Sequence, residues 1–267
     1  MSNETDTITR SKWKEAYQRS SEVRYDPRDI HPATLVSRNY IQKYMSPSDK
    51  LFLEAGCGTA RSSLDTALTH NVTVVCLDII TEALLIAKRL FKENNASGCF
   101  IRADMRLLPF TDETFDFIFS DGVVEHIRET SLAISEFFRV LKKGGRLLLT
   151  VPQISISMLT LGQLRGNIPN IPLLRRILIF IQMQVLNRRF MKNGYEQSFT
   201  LSQLKRLLNI FSFVEVGLYE TFHELKWLKI AALQKSIQSL MKHKLFCPLI
   251  YGFGVKIENE NRPNQHS

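Results

Sequence analysis

The feature that most limits what this chain can become is a regular alternation of short β-branched runs with amphipathic helical stretches, beginning at residue 50. Leu51-Phe52-Leu53-Glu54-Ala55 is an apolar run that ends in a glycine turn, and residues 72–78 form a second run rich in valine. Residues 99–101, 115–120 and 145–151 read as the third to fifth strands. Between them, residues 82–93 carry Ala83, Leu84, Ala87 and Leu90 on one helical face. Residues 132–141 also have helical spacing and stop before Gly144-Gly145, the expected C-cap. Strand and helix in this rhythm predict an α/β fold, a parallel sheet covered by helices on both faces. Ligands of such sheets bind at the carboxyl ends of the strands, so those ends are where chemistry is expected.

Composition excludes several other classes. A chain of 267 residues with 44% apolar and 23% charged side chains can bury a core, unlike a disordered tail. The first ten residues are polar, and no secretory leader is expected. The most apolar region, around 171–186, is interrupted by Arg175 and Arg176, so no membrane-crossing helix is predicted. Cys57, Cys76, Cys99 and Cys247 lie far apart without ligand spacing, which predicts neither a metal site nor disulfides and implies a reduced, cytoplasmic setting.

After the first strand comes Glu54-Ala55-Gly56-Cys57-Gly58-Thr59-Ala60-Arg61. Small residues at 56, 58 and 60 let the backbone turn sharply and let a ligand lie against it. A dinucleotide fingerprint needs a small residue in its sixth place, and here that place is Arg61, so the nicotinamide reading is set aside. Asp78 ends the second strand at the spacing where a carboxylate accepts from both hydroxyls of a ribose. Taken alone it reads equally well as a helix cap. Asp104 follows the third strand, placed to accept from an adenine amine between Met105 and Ile79. Ser120-Asp121-Gly122 closes the fourth strand and is expected to face the amino-acid part of the same ligand.

With these residues in place, the sequence resembles the class I S-adenosylmethionine-dependent methyltransferases, most closely the small-molecule branch of ubiquinone and menaquinone biosynthesis. The motifs are E-A-G-C-G-T-A, the end of V-V-C-L-D, A-D-M-R-L-L-P-F-T-D-E-T-F-D-F-I-F-S, V-V-E-H-I and R-V-L-K-K-G-G-R-L-L-L-T-V-P. One departure is Ala60, where that family more often has a third glycine. The resemblance implies a Rossmann-like sheet of seven strands with helices on both faces, the last strand antiparallel. It implies S-adenosyl-L-methionine as cofactor, with Glu54, Gly56, Cys57 and Gly58 at its methionine end. Asp78 would then hold the ribose, Asp104 and Met105 the adenine with Ile79 as a further wall, and Ser120 the far side of the cleft. Residues 1–49 are expected as a helical cap on a methyltransferase domain over 50–267.

The expected reaction is methyl transfer to a small or lipid-like acceptor on O, N or C. The alternative is a silent methyltransferase-fold adaptor at a membrane or protein surface. Alignment of donor and acceptor lowers the barrier most, and a base helps where the acceptor carries a proton. Candidate bases are His126, His31, His223, Tyr17 and Tyr25, with Tyr17 also able to face a sulfonium from the cap.

The formal charge of +9 is unevenly spread. Residues 1–136 hold 16 basic and 20 acidic side chains, residues 137–195 hold 10 and none, and residues 196–267 hold 9 and 6. The excess overlies two apparent insertions, 153–193 and 225–246, both basic and apolar. Either reads as a lid with solvated lysines or as contact with the anionic inner face of a membrane. The fourth strand ends in Ser120-Asp121-Gly122-Val123, without the N/D-P-P-aromatic motif of adenine methylation, which argues against a nucleic-acid partner.

Overall fold

The computed structural model describes residues 2–19, 22–156, 195–219 and 242–257, together with Ile177, Ser239 and Leu240. Strands β1 (Leu51–Ala55), β2 (Thr73–Asp78), β3 (Cys99–Arg102), β4 (Phe115–Asp121) and β5 (Leu141–Pro152) pair in parallel. Strands β6 (Phe213–Leu218) and β7 (Leu249–Val255) complete the sheet as an antiparallel pair, in the order β3-β2-β1-β4-β5-β7-β6. The chain steps outward from β1 to β3 and then returns to the other side of β1 as β4. That reversal opens a crevice at the carboxyl ends of β1 and β4, where ligands of such sheets bind.

Strand alternation divides the core between the two faces. Leu53, Ala55, Val75, Leu77, Ile118 and Leu149 pack against α5 (Thr130–Val140) and α6 (Leu201–Leu207). Phe52, Val74, Cys76, Phe117, Phe119 and Leu148 pack on the opposite face. There they meet α2 (Pro32–Tyr44), α3 (Arg61–Thr69) and α4 (Thr81–Glu93). Each such large side chain contributes roughly 1.5–3 kcal/mol on burial. Arg38 of α2 reaches Asp65 of α3, and Tyr25 donates to the same carboxylate at 2.5 Å.

The amino-terminal segment forms α1 (Ser2–Gln18) as well as α2. Ion pairs hold α1 across the mouth of the crevice: Arg10 with Asp104 at 3.0 Å, Lys14 with Glu82 at 3.3 Å, and Asp6 with Arg106 at 2.8 Å.

Thr200 caps α6 through a reciprocal bond pattern with Gln203, as the sequence Thr-Leu-Ser-Gln suggests. Gly144-Gly145 does not cap α5, which ends on Leu141. Instead Gly144, at φ 77°, makes a turn within β5, where the pairing with β4 shifts register. Most of residues 153–193 and 225–246, the two apparent insertions, lies outside the described residues.

Candidate active site

The loop after β1 is shaped by backbone bonds to its neighbour strand. Gly56 and Cys57 both donate their N–H to the Leu77 carbonyl, at 2.7 and 2.9 Å. Gly56 holds φ 78°, and a Cβ there would stand 2.4 Å from a Val123 methyl. Ala60 also takes a left-handed φ of 53°, at the place where the family more often has glycine. Asp78 at the end of β2 braces the loop, its Oδ2 accepting from Gly58 N–H and its Oδ1 from Ile80 N–H, both at 2.8 Å. Each oxygen retains a second lone pair for a ligand hydroxyl.

These elements border one cavity of about 450 Å3. Glu54, Gly56, Cys57, Gly58, Asp78, Ile79, Asp104, Met105, Tyr17 and His126 all line it, so residues chosen from four strand ends and the cap converge on one space. Ser120 does not. It is fully buried and donates to the Ala55 carbonyl at 3.0 Å, so its side chain braces β1 against β4. Its neighbours Asp121, Gly122 and Val123 line the cavity instead. The other candidate bases sit elsewhere: His31 caps α2, Tyr25 is bound to Asp65, and His223 lies outside the described residues.

Asp104 is more heavily engaged than its sequence position suggests. Oδ1 accepts from the Arg106 backbone N–H and Nε, and Oδ2 from Arg106 Nη2 and Arg10 Nη2. Burial raises its carboxyl, but the two guanidinium groups outweigh this and hold it below the usual range. A ligand amine donating to this carboxylate must displace one of those arginine donors, and Arg10 belongs to α1.

Burial governs the other titrating groups. Against two bonds from Ser63 at 3.0 and 2.5 Å, it pushes the Glu54 carboxyl up to about 8. It lifts the Tyr17 hydroxyl far above its ordinary range, with Asp78 adding to the effect, so Tyr17 stays protonated. It lowers His126, against a Tyr195 carbonyl that lies 2.6 Å from Nδ1. The ring is therefore neutral at pH 7, with its proton on Nδ1 and a lone pair on Nε2. Trp13 stacks on Tyr17 at 5.8 Å and meets His126 edge-on at 5.3 Å.

The shift at Glu54 predicts a pH dependence of stability. A glutamate in the unfolded chain titrates near ~4.3, so between that value and about 8 the folded state binds the extra proton. Stability therefore falls as pH rises through this window, by up to about 1.4 kcal/mol per unit. Glu54→Gln keeps an acceptor for Ser63 and is expected to flatten the decline in melting temperature between pH 5 and 8. Parallel profiles for the two proteins would refute this.

Arg61 entered the sequence reading only as an obstacle to the nicotinamide fingerprint, yet it lines the cavity at the first turn of α3. Asp6, Thr9, Arg10, Trp13 and Tyr17 also line it. Their spacing follows one helical face, a signal available in the sequence. Among the described residues no cluster of His, Cys, Asp or Glu could hold a metal ion.

Residues 53–149 match a family described as a methyltransferase domain. An uncharacterised methyltransferase of Bacillus subtilis is 35% identical over 120 residues, 44% of this chain and 50% of that protein. A malonyl-[acyl-carrier protein] O-methyltransferase of Erwinia pyrifoliae is 37% identical over 114 residues, 42% of this chain and 38% of that protein. The crystal structure of the YcgJ protein of Bacillus subtilis superimposes with a TM-score of 0.56 at 20% identity, covering 84% of this chain and 99% of that one. At that identity the likeness is one of fold. The chain spans about half or less of the length of the curated relatives it matches.

Proposed function

We propose that this chain is a class I S-adenosylmethionine-dependent methyltransferase, as the methyltransferase-domain match over residues 53–149 supports, and that it transfers a methyl group from S-adenosyl-L-methionine to a small or lipid-like acceptor. The observation that carries the reading is the convergence of the glycine loop, Asp78 and Asp104 on one cavity of about 450 Å3. Small-molecule sites commonly span about 300–1,000 Å3. When bound, the cofactor supplies an electrophilic methyl group on a sulfonium centre.

The residues present suit that group. Gly56 and Gly58 line the cavity with backbone that Val123 and the Tyr17 hydroxyl approach too closely for any side chain, and Asp78 keeps free lone pairs for a diol. Ile79 and Met105 provide apolar walls. Arg61, a guanidinium in the same cavity that burial pushes below its usual range without discharging it, suits a ligand carboxylate. Trp13 and Tyr17 cover the cavity from α1 and exclude water, which strengthens every charge interaction inside. His126 Nε2 is suited to accept a proton from an acceptor hydroxyl or ammonium, because the Tyr195 carbonyl fixes the other nitrogen as donor. No observation favours the silent-adaptor reading, since the acidic and glycine positions are all retained around an open cavity. Calorimetry tests the proposal: S-adenosylhomocysteine is expected to bind with one site per chain, and absence of binding would overturn it.

The lipid-like acceptor and the cytoplasmic, membrane-peripheral setting belong to the same proposal. They draw support from the basic segments 153–193 and 225–246 and from Ile156, Leu240 and Leu245, exposed apolar side chains near Lys242 and Lys244. No helix among the described residues is long and apolar enough to cross a membrane. Vesicles containing phosphatidylserine are expected to sediment the protein at low salt and release it at high salt. Equal recovery with neutral vesicles would remove the membrane contact.

A further inference from the structure

At the carboxyl ends of β4 and β5 the fold gathers one buried and two half-buried carboxylates with no counter-ion among the described residues. Asp121 lines the cavity and accepts from Thr150 Oγ1 and, at 3.2 Å, from Ser37 Oγ. Glu125, in the 3-10 turn Val124–His126, is 3% exposed, and its Oε2 has no hydrogen-bond partner. Glu196 is close enough for its charge to oppose ionisation of Glu125, and burial pushes Glu196 itself up to about 7. Among the described residues, no cation acts on any of the three. Buried carboxylates are normally paired or fully hydrogen-bonded, so this deficit calls for a partner from outside.

A second observation points the same way. The segment 195–199 runs beside the end of β5, with Phe199 N–H on the Pro152 carbonyl at 2.8 Å. Tyr195 and Gln197 meet side chain to side chain at 3.3 Å, and alternation sends Glu196 and Ser198 to the other side. Ser198 is fully buried, and its Oγ has no partner either. The route in is at Gly122, which lines the cavity at φ +66°. A Cβ placed there would meet only Glu125 Oε1, at 3.5 Å. The space that a side chain would occupy thus joins the cavity to the unpartnered carboxylate.

We propose that the acceptor is a protonated amine, its ammonium group entering through the gap at Gly122 and held by Asp121, Glu125 and Glu196 with Ser198 Oγ; this rests on the methyl-transfer reading. An ammonium brings one positive charge and several N–H donors, the two things this pocket lacks. Methyl transfer to it balances: the ammonium gives one proton to His126 Nε2, which lines the cavity, and the freed nitrogen lone pair forms the bond to the methyl carbon. The sulfur–carbon bond breaks with its electron pair left on sulfur, and the charge lost there reappears on the methylated nitrogen.

The test is binding, on the full chain saturated with S-adenosylhomocysteine. Ethanolamine, hexylamine and benzylamine are titrated calorimetrically beside ethylene glycol, hexanol and benzyl alcohol. At least one amine is expected to bind tenfold or more tightly than its alcohol. Glu125→Gln and Glu196→Gln are expected to weaken that amine tenfold or more while S-adenosylhomocysteine affinity stays within twofold. Because Gln replaces a buried acid whose ionisation burial and Glu196 oppose, the Glu125→Gln melting temperature is expected to match or exceed the parent's, which separates lost binding from lost folding. Alcohols equal to amines, no probe bound, or amine affinity untouched in both variants would overturn the amine assignment and leave the methyltransferase reading standing. Failure of S-adenosylhomocysteine itself to bind would overturn that reading and this inference with it.

Discussion

Asp78→Asn is expected to weaken S-adenosylhomocysteine binding by about a hundredfold, as read by calorimetry. The carboxylate stands at the end of β2 with one backbone N–H on each oxygen, so its orientation is fixed before any ligand arrives. Burial raises its carboxyl, and the amide donors from Ile80 and Gly58 oppose that shift. A fixed anionic acceptor facing two hydroxyls makes two charge-assisted bonds, each about 1.5–3 kcal/mol. Losing about 3 kcal/mol corresponds to roughly two decades in affinity. Asparagine also turns one amino group toward a backbone N–H, so a smaller loss of stability should accompany the change. Circular dichroism will show the sheet intact. Affinity within threefold of the parent would remove Asp78 from the binding site.

Gly56→Ala is expected to cost about 3 kcal/mol of stability and to lower the melting temperature by about 10 °C. The left-handed backbone at φ 78° penalises any side chain by roughly 1–2 kcal/mol. The new Cβ would also stand 2.4 to 2.9 Å from three Val123 side-chain atoms, and overpacking of that kind adds about 1–3 kcal/mol. Gly144→Ala is the internal control. It shares a φ of 77° but has open space around it, so only the backbone cost remains. Equal losses at the two positions would show that the approach of Val123 to the loop does not matter. The same approach is what closes the glycine loop against the end of β4, next to Gly122.

Much of this protein could be read from residue order because the relevant physics is local. A β-branched run buries itself in a sheet, and an apolar stripe at helical spacing needs a partner face. Hence β1 to β5, α4 and the cap of α6 were all legible. The glycine loop and Asp78 were legible for a related reason, since chain direction alone puts them at the carboxyl ends of adjacent strands. Gly144-Gly145 misled because a glycine pair after a helix signals a turn without saying whether the helix or the next strand owns it. Ser120 misled because consecutive residues at a strand end face opposite ways, and one position decides between bracing β1 and lining the cavity.

What the sequence by itself determined is therefore the order of strands and helices, the cofactor loop and the acidic strand ends, all set by periodicity and backbone freedom. Only the tertiary structure decided how charges and acceptors meet across long chain separations. Asp104 meets Arg10, 94 residues away, and is already saturated by two guanidinium groups. Glu125 and Glu196, on different segments, repel each other beside an open glycine. Such encounters depend on how whole segments pack, and whether a buried carboxylate finds a partner is a property of the packed assembly that no local pattern encodes.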